Sequence, residues 1–94
     1  MKIKWTKQAI ADLNHAYDYI AETAPDTAQQ IIERIDKSLQ SLQQFPEMGR
    51  MGRVNQTREL VIPRTPFILP YRIRQNRIEI LAVLHGSRRW PDTF

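Results

Sequence analysis

The apolar residues change their spacing at Phe45-Pro46, and that change restricts the fold more than any other feature of the chain. Before it, they recur at intervals of three and four, which places them on one stripe of a helix. After it, they fall in short period-two runs, the spacing of a strand with one face on a core. A chain that does both in succession predicts a helical layer packed on a sheet.

The first helical stripe is Ala9, Leu13, Ala16, Tyr17 and Ile20, with Asp12, Asp18 and Glu22 off it. Thr6 carries the hydroxyl of an N-cap and opens this helix. The helix stops before Ala24-Pro25, because the residue preceding a proline is pushed out of the helical region. Pro25 and Asp26 suit the first turn of a second helix, where a missing N–H costs nothing and a negative charge suits the dipole. Its stripe is Ala28, Ile31, Ile32, Ile35, Leu39 and Leu42, ending near Gln44. So short a link makes the pair an αα-hairpin.

Lys2-Ile-Lys-Trp5 alternates and predicts an opening strand. Three further strands are predicted at Thr57–Pro63, Phe67–Arg74 and Arg77–His85, with turns at Pro63-Arg-Thr-Pro66 and Gln75-Asn76. In the last run Ile78, Ile80, Ala82 and Leu84 share one face, and Arg77, Glu79, Leu81, Val83 and His85 share the other. Apolar residues on both faces predict a central strand, with the helices over one side. Pro70 removes a ladder donor from the middle run, so that strand must lie at an edge or be bulged there. The stretch Glu47–Gln56, with two glycines, is the candidate mobile segment. The order β-α-α-β-β-β over residues 1–94 predicts one α+β domain: an N-terminal strand, a helical hairpin and a three-stranded antiparallel sheet.

The net charge of +4 conceals a division. Residues 1–47 hold five Lys and Arg against seven Asp and Glu, a net of −2. Residues 48–94 hold nine Arg, no Lys and three acids (Glu59, Glu79, Asp92), a net of +6. Arginine is favoured over lysine where carboxylates or phosphates are held bidentately, so the basic half predicts an anionic partner. Cysteine is absent, which rules out disulfides and thiolate metal sites. No apolar run is long enough to span a bilayer, and Met1-Lys-Ile-Lys-Trp-Thr-Lys7 has no apolar segment of a signal peptide behind its charges. A cytoplasmic protein without membrane contact, metal or cofactor is the expectation.

Several segments, in order and spacing, resemble toxins of the RelE/ParE superfamily. They are Ile3-Lys-Trp-Thr-x-x-Ala-x-x-Asp-Leu13, Asp18-Tyr-Ile-Ala21, Phe45-Pro-Glu-Met-Gly-Arg50, Gly52-Arg-Val54, Thr57-Arg-Glu-Leu-Val-Ile62, Pro70-Tyr-Arg-Ile73 and Ile78-Glu-Ile-Leu-Ala-Val-Leu-His-Gly-x-Arg-x-Trp-Pro91. The resemblance covers almost the whole chain. It implies the toxin of a type II toxin–antitoxin module, with growth inhibition and plasmid stabilization as its effects. It implies a small cognate antitoxin that wraps the toxin and alone contacts operator DNA.

The superfamily divides into members that cleave mRNA on the ribosome without a metal and members that poison DNA gyrase. Metal-free RNA cleavage needs a base for the 2′-hydroxyl, a cation for the scissile phosphate and an acid for the leaving oxygen. Glu59 or Glu79 would be the base, Arg72 the clamp and His85 the acid, provided that Arg72, Glu79 and His85 project from one face. In the other reading the protein is not an enzyme, and it binds its target through Arg50, Arg53, Arg58, Arg72, His85, Arg88, Arg89 and Trp90. The resemblance favours this second, ParE-like reading. Glu59-Leu-Val-Ile-Pro63 and Phe67-Ile-Leu-Pro70 lack the strand cations of RelE proteins, and Ser87-Arg-Arg-Trp90 stands where RelE termini bring a tyrosine or histidine. A third reading is a degenerate toxin that binds only its antitoxin, and a generic nucleic-acid binder is weaker still, because few aromatic residues lie between the scattered arginines to stack bases.

Overall fold

The computed structural model describes residues 1–94. Its elements are β1 (Lys2–Trp5), α1 (Lys7–Ala21), α2 (Pro25–Gln44), β2 (Arg50–Met51), β3 (Arg58–Val61), β4 (Phe67–Arg74), β5 (Arg77–Ile80) and β6 (Leu84–His85). The class is α+β, as expected. Both helices begin where the sequence signals put them. The Thr6 hydroxyl accepts from Ala9 N–H at 3.2 Å, and Pro25 occupies the first turn of α2 with Asp26 beside it.

The helices lie on one face of the sheet. Ala9, Ile31, Ile35, Leu39 and Leu42 meet Leu60, Ile62, Phe67, Leu69, Tyr71, Ile78, Ile80 and Val83 in one core, with Ile3, Trp5, Leu13, Ala16 and Ile20 packed on its margin. Trp5 is therefore a core-margin residue. No helix is long and apolar enough to cross a membrane.

The sheet differs from the expected three antiparallel strands. Its order is β1-β5-β4-β3-β2, with β6 also pairing β4. β1 joins it at one edge, parallel to β5, and the short β2 forms the opposite edge. β4 and β5 meet through Gln75-Asn76, both at positive φ (52° and 59°). Two such residues form the tight turn whose twist matches a hairpin.

The predicted strand Arg77–His85 is in fact two strands. Tyr71 faces Ile80, and Ile68 faces Leu84, so two residues of β4 (Leu69, Pro70) oppose three (Leu81, Ala82, Val83). That is a β-bulge of one extra residue. It also resolves the proline. Pro70 lies in the centre of the sheet, and its carbonyl accepts from Leu81 N–H at 2.9 Å. The N–H that proline lacks would point to the same side, where the neighbouring strand bulges away and asks for no donor. The bulge expectation holds, but the extra residue belongs to the partner strand.

Helix α1 supplies what the bulge leaves open. Asp12 Oδ2 accepts from Val83 N–H at 3.1 Å, and the Thr6 hydroxyl donates to Ile80 O at 2.8 Å. Asp12, off the apolar stripe as expected, is also a strand partner through its carboxylate.

Candidate functional site

An extra residue in a strand reverses the faces beyond it. Arg72 faces Glu79 and Glu59 faces Pro70, so all three point away from the helices. His85 lies past the bulge, opposite Phe67, and the two rings meet edge to face at 5.9 Å between centroids. Phe67 belongs to the helix-side core. The expected projection of Arg72, Glu79 and His85 from one face is therefore not met, and the predicted faces of Val83, which joins the core, and Leu84, which faces Ile68, fail for the same reason.

Each member of the proposed nuclease set is also engaged elsewhere. Glu59 is 2% exposed; its carboxylate accepts from Arg50 Nε at 2.9 Å and from Arg53 N–H at 2.8 Å. Glu79 accepts from Arg72 Nε at 2.6 Å, with Arg74 Nε at 3.9 Å. The Arg72 hydrogen bond, followed by the charges of Arg72, Arg74 and Lys4, outweighs partial burial and holds the Glu79 carboxyl below its ordinary range. A base needs a higher proton affinity than that. His85 Nδ1 accepts from Ser87 N–H at 3.2 Å.

The target-binding set divides in two. Arg58 turns inward, where Nη1 donates to Gly49 O at 2.9 Å and to Glu47 O at 3.1 Å. Arg72 is tied to Glu79, and His85 to Phe67 and Ser87. Of the remainder, Arg50, Arg53 and Trp90 converge. The Arg53 guanidinium lies 3.8 Å from the centre of the Trp90 ring, in the geometry of a cation–π contact. Trp90 Nε1 donates to His85 O at 3.3 Å, which lays the tail back on the body. Arg50, Arg88 and Arg89 are exposed. Arg50, Arg53 and Trp90 thus join the β2 edge to the C-terminal tail in one cationic and aromatic patch.

Hydrogen bonds tie the stretch Glu47–Gln56, the candidate mobile segment, to the sheet. Tyr71, wholly buried, donates from Oη to Pro46 O at 2.7 Å and accepts from Gly49 N–H at 2.9 Å. Gly49 is required by that approach, since a Cβ there would stand 2.5 Å from Tyr71 Oη. Glu59 binds Arg50 and Arg53, Arg58 binds Glu47 and Gly49, and the Thr57 hydroxyl donates to Val54 O at 2.6 Å. Tyr71 was missed as a site-forming residue. Its signal was a phenol inside an apolar strand, which needs a buried partner.

Three comparisons agree with this architecture. The sequence profile of the family described as "ParE toxin of type II toxin-antitoxin system, parDE" matches residues 3–90. "Putative toxin Y4kP" of Sinorhizobium fredii is 40% identical over 93 residues, covering 99% of this chain and 96% of the relative. "Toxin RelE2" of Caulobacter vibrioides is 30% identical over 87 residues, covering 93% and 97%. A solved structure described as "Chromosomal ParDE TA system from P. aeruginosa" superposes with a TM-score of 0.83 at 32% identity, over 93% of this chain and 97% of that one. With the helical hairpin, the mixed sheet and the hydrogen-bonded arginine loop all inside the matched span, the chain belongs to the ParE toxin family of type II toxin–antitoxin systems.

Proposed function

We propose that this toxin arrests growth by binding DNA gyrase, not by cutting RNA, and that a cognate antitoxin neutralises it. The observation that carries the reading is the bulge at Leu81–Val83, which leaves His85 on the opposite face from Glu59, Arg72 and Glu79. No acid and base then flank one phosphate. Target contact falls to Arg50, Arg53, Arg88, Arg89 and Trp90, the exposed members of the expected set with the tail tryptophan. Tryptophan and arginine dominate interface energetics.

The antitoxin has a separate surface. β2 reaches only as far as Glu59, so Leu60 and Val61 lie on an uncovered stretch of the β3 edge. Beside them a groove is lined by Arg34, Lys37, Met48 and Pro63. An acidic amphipathic segment fits it by strand addition and apolar docking.

A second reading keeps one support: a relative 30% identical carries the name RelE2. Induction of the toxin alone in a bacterial host separates the two. Filamentation and DNA breaks with intact transcripts are expected, and Glu79→Gln and His85→Ala should leave toxicity unchanged. Rapid mRNA cleavage with intact DNA would overturn the gyrase assignment. Absence of arrest in a correctly folded product would leave a toxin fold that only binds its antitoxin.

A further inference from the structure

The strand register assembles a second cationic surface that neither reading above uses. Lys2 faces Arg77 across β1 and β5, and Arg77 faces Arg74 across β5 and β4. These three make one row with no carboxylate. The next row on the same face is Lys4, Glu79 and Arg72. Lys2, Lys4, Arg74 and Arg77 are all exposed. The face is the one turned away from the helices, because Ile3, Ile73 and Ile78 occupy the alternate positions and Ile3 and Ile78 join the core.

Five cations thus surround one carboxylate, and Glu79 is already held by Arg72 at 2.6 Å. Lys2, Lys4 and Arg77 take part in none of the four salt bridges of the structure. Like charges directly opposite on neighbouring strands oppose folding. Local violations of that kind collect at functional sites.

We propose that this end of the sheet binds the phosphate backbone of duplex DNA, with Lys2, Lys4, Arg74 and Arg77 each neutralising a phosphate. The scale suits it. With strands about 4.8 Å apart and same-face rows about 7 Å apart, the cations span roughly 10 Å. Duplex DNA presents a charge about every 1.7 Å of its axis, so a patch of that width meets several phosphates. Neither row contains an aromatic side chain, which a single strand needs for base stacking. Neither contains an apolar one, which an amphipathic acidic peptide needs for docking. Of the exposed apolar residues, Met48, Met51 and Val61 lie on or beside β2 and β3, while Met1 and Ile73, next to the cations in sequence, take alternate positions and face the other way. The site is independent of the gyrase assignment and distinct from the patch around Trp90.

The test is fluorescence anisotropy of the purified chain with a short random-sequence duplex across a salt series. The logarithm of affinity should fall against that of salt with a slope of about −3.6, about −0.9 for each of four phosphates. The double variants Arg74→Gln/Arg77→Gln and Lys2→Gln/Lys4→Gln should each flatten it by about 2. Arg34→Gln/Arg64→Gln, on the antitoxin groove, should leave it unchanged. Melting curves establish that each variant is folded, and the Lys2/Lys4 pair on the edge strand carries the test if the hairpin pair fails to fold. Duplex binding without salt dependence would overturn the proposal. So would equal flattening by the Arg34/Arg64 variant, equal affinity for a single strand, or tighter binding of polyglutamate.

Discussion

Tyr71 shows what a single residue can fix here. Its hydroxyl is both donor and acceptor, to Pro46 O and from Gly49 N–H, at zero exposure. Tyr71→Phe leaves both backbone groups without that partner. The expected loss is about 1–3 kcal/mol in a denaturant titration, the cost of unsatisfied buried groups. Burial raises the Tyr71 pKa above its ordinary 10.0. The unfolded chain therefore loses this proton first, so stability should fall as pH rises through that range, and Tyr71→Phe should remove that part of the fall. Glu79 gives the opposite limb. Its folded pKa lies below the ordinary 4.5, so its contribution is present above that pH and is lost as pH falls through the folded value. Glu79→Gln should flatten the acid side of the stability curve, measured by melting at stepped pH. An unchanged acid limb would mean that the Arg72 pair adds nothing to folding.

At the scale of elements, the bulge between β5 and β6 decides which side chains can act together. It is stitched to α1 by Asp12 and Thr6. Asp12→Ala should cost about 1–3 kcal/mol by leaving Val83 N–H unpaired, while Asp12→Asn, which keeps an acceptor, should recover most of it. Equal losses in the two variants would contradict a role for the carboxylate as a strand partner. The helices were legible in the chain because Thr6, Pro25 and Pro46 punctuate them by local stereochemistry. The bulge was not, because Leu81-Ala82-Val83 is apolar throughout and an extra apolar residue leaves no mark on a run with two buried faces. Its only trace lay in the partner strand, at Pro70. The faces of Arg72, Glu79 and His85 follow from that one residue, so a site inferred from unbroken alternation failed where the two strands on either side of it were read correctly. β2 went unseen for a different reason. Two residues carry no period, and the contacts that hold them against β3, from Glu59 to Arg50 and Arg53 and from Gly52 N–H to Thr57 O, are not local in sequence pattern.

For the molecule as a whole, the +6 of the second half resolves into structural and free cations. Arg58 and Arg72 hold the fold, and Arg50 and Arg53 hold Glu59; Arg74 and Arg77 crowd the β5 hairpin, Arg64 sits in the turn between β3 and β4, and Arg88 and Arg89 lie on the Trp90 tail. The tail lies outside the core cluster, whose last member is Val83. Trp90 should therefore matter more to the target than to folding. Trp90→Ala removes a partly exposed cation–π contact worth about 0.5–1 kcal/mol and one hydrogen bond of about 0.5–1.5 kcal/mol. A small drop in melting temperature is expected, with antitoxin co-purification retained and growth arrest abolished. Ending the chain after Gly86 should act in the same direction. If that truncation unfolds the protein, the tail is a cap on the core and the contact surface must be sought elsewhere. If it stays folded, keeps the antitoxin and still arrests growth, Trp90 and its arginines have no part in target binding. Separation of antitoxin binding from toxicity is the outcome that a C-terminal contact surface requires, because the groove at α2 and β3 proposed for the antitoxin shares none of its lining residues with the Arg50–Arg53–Trp90 patch.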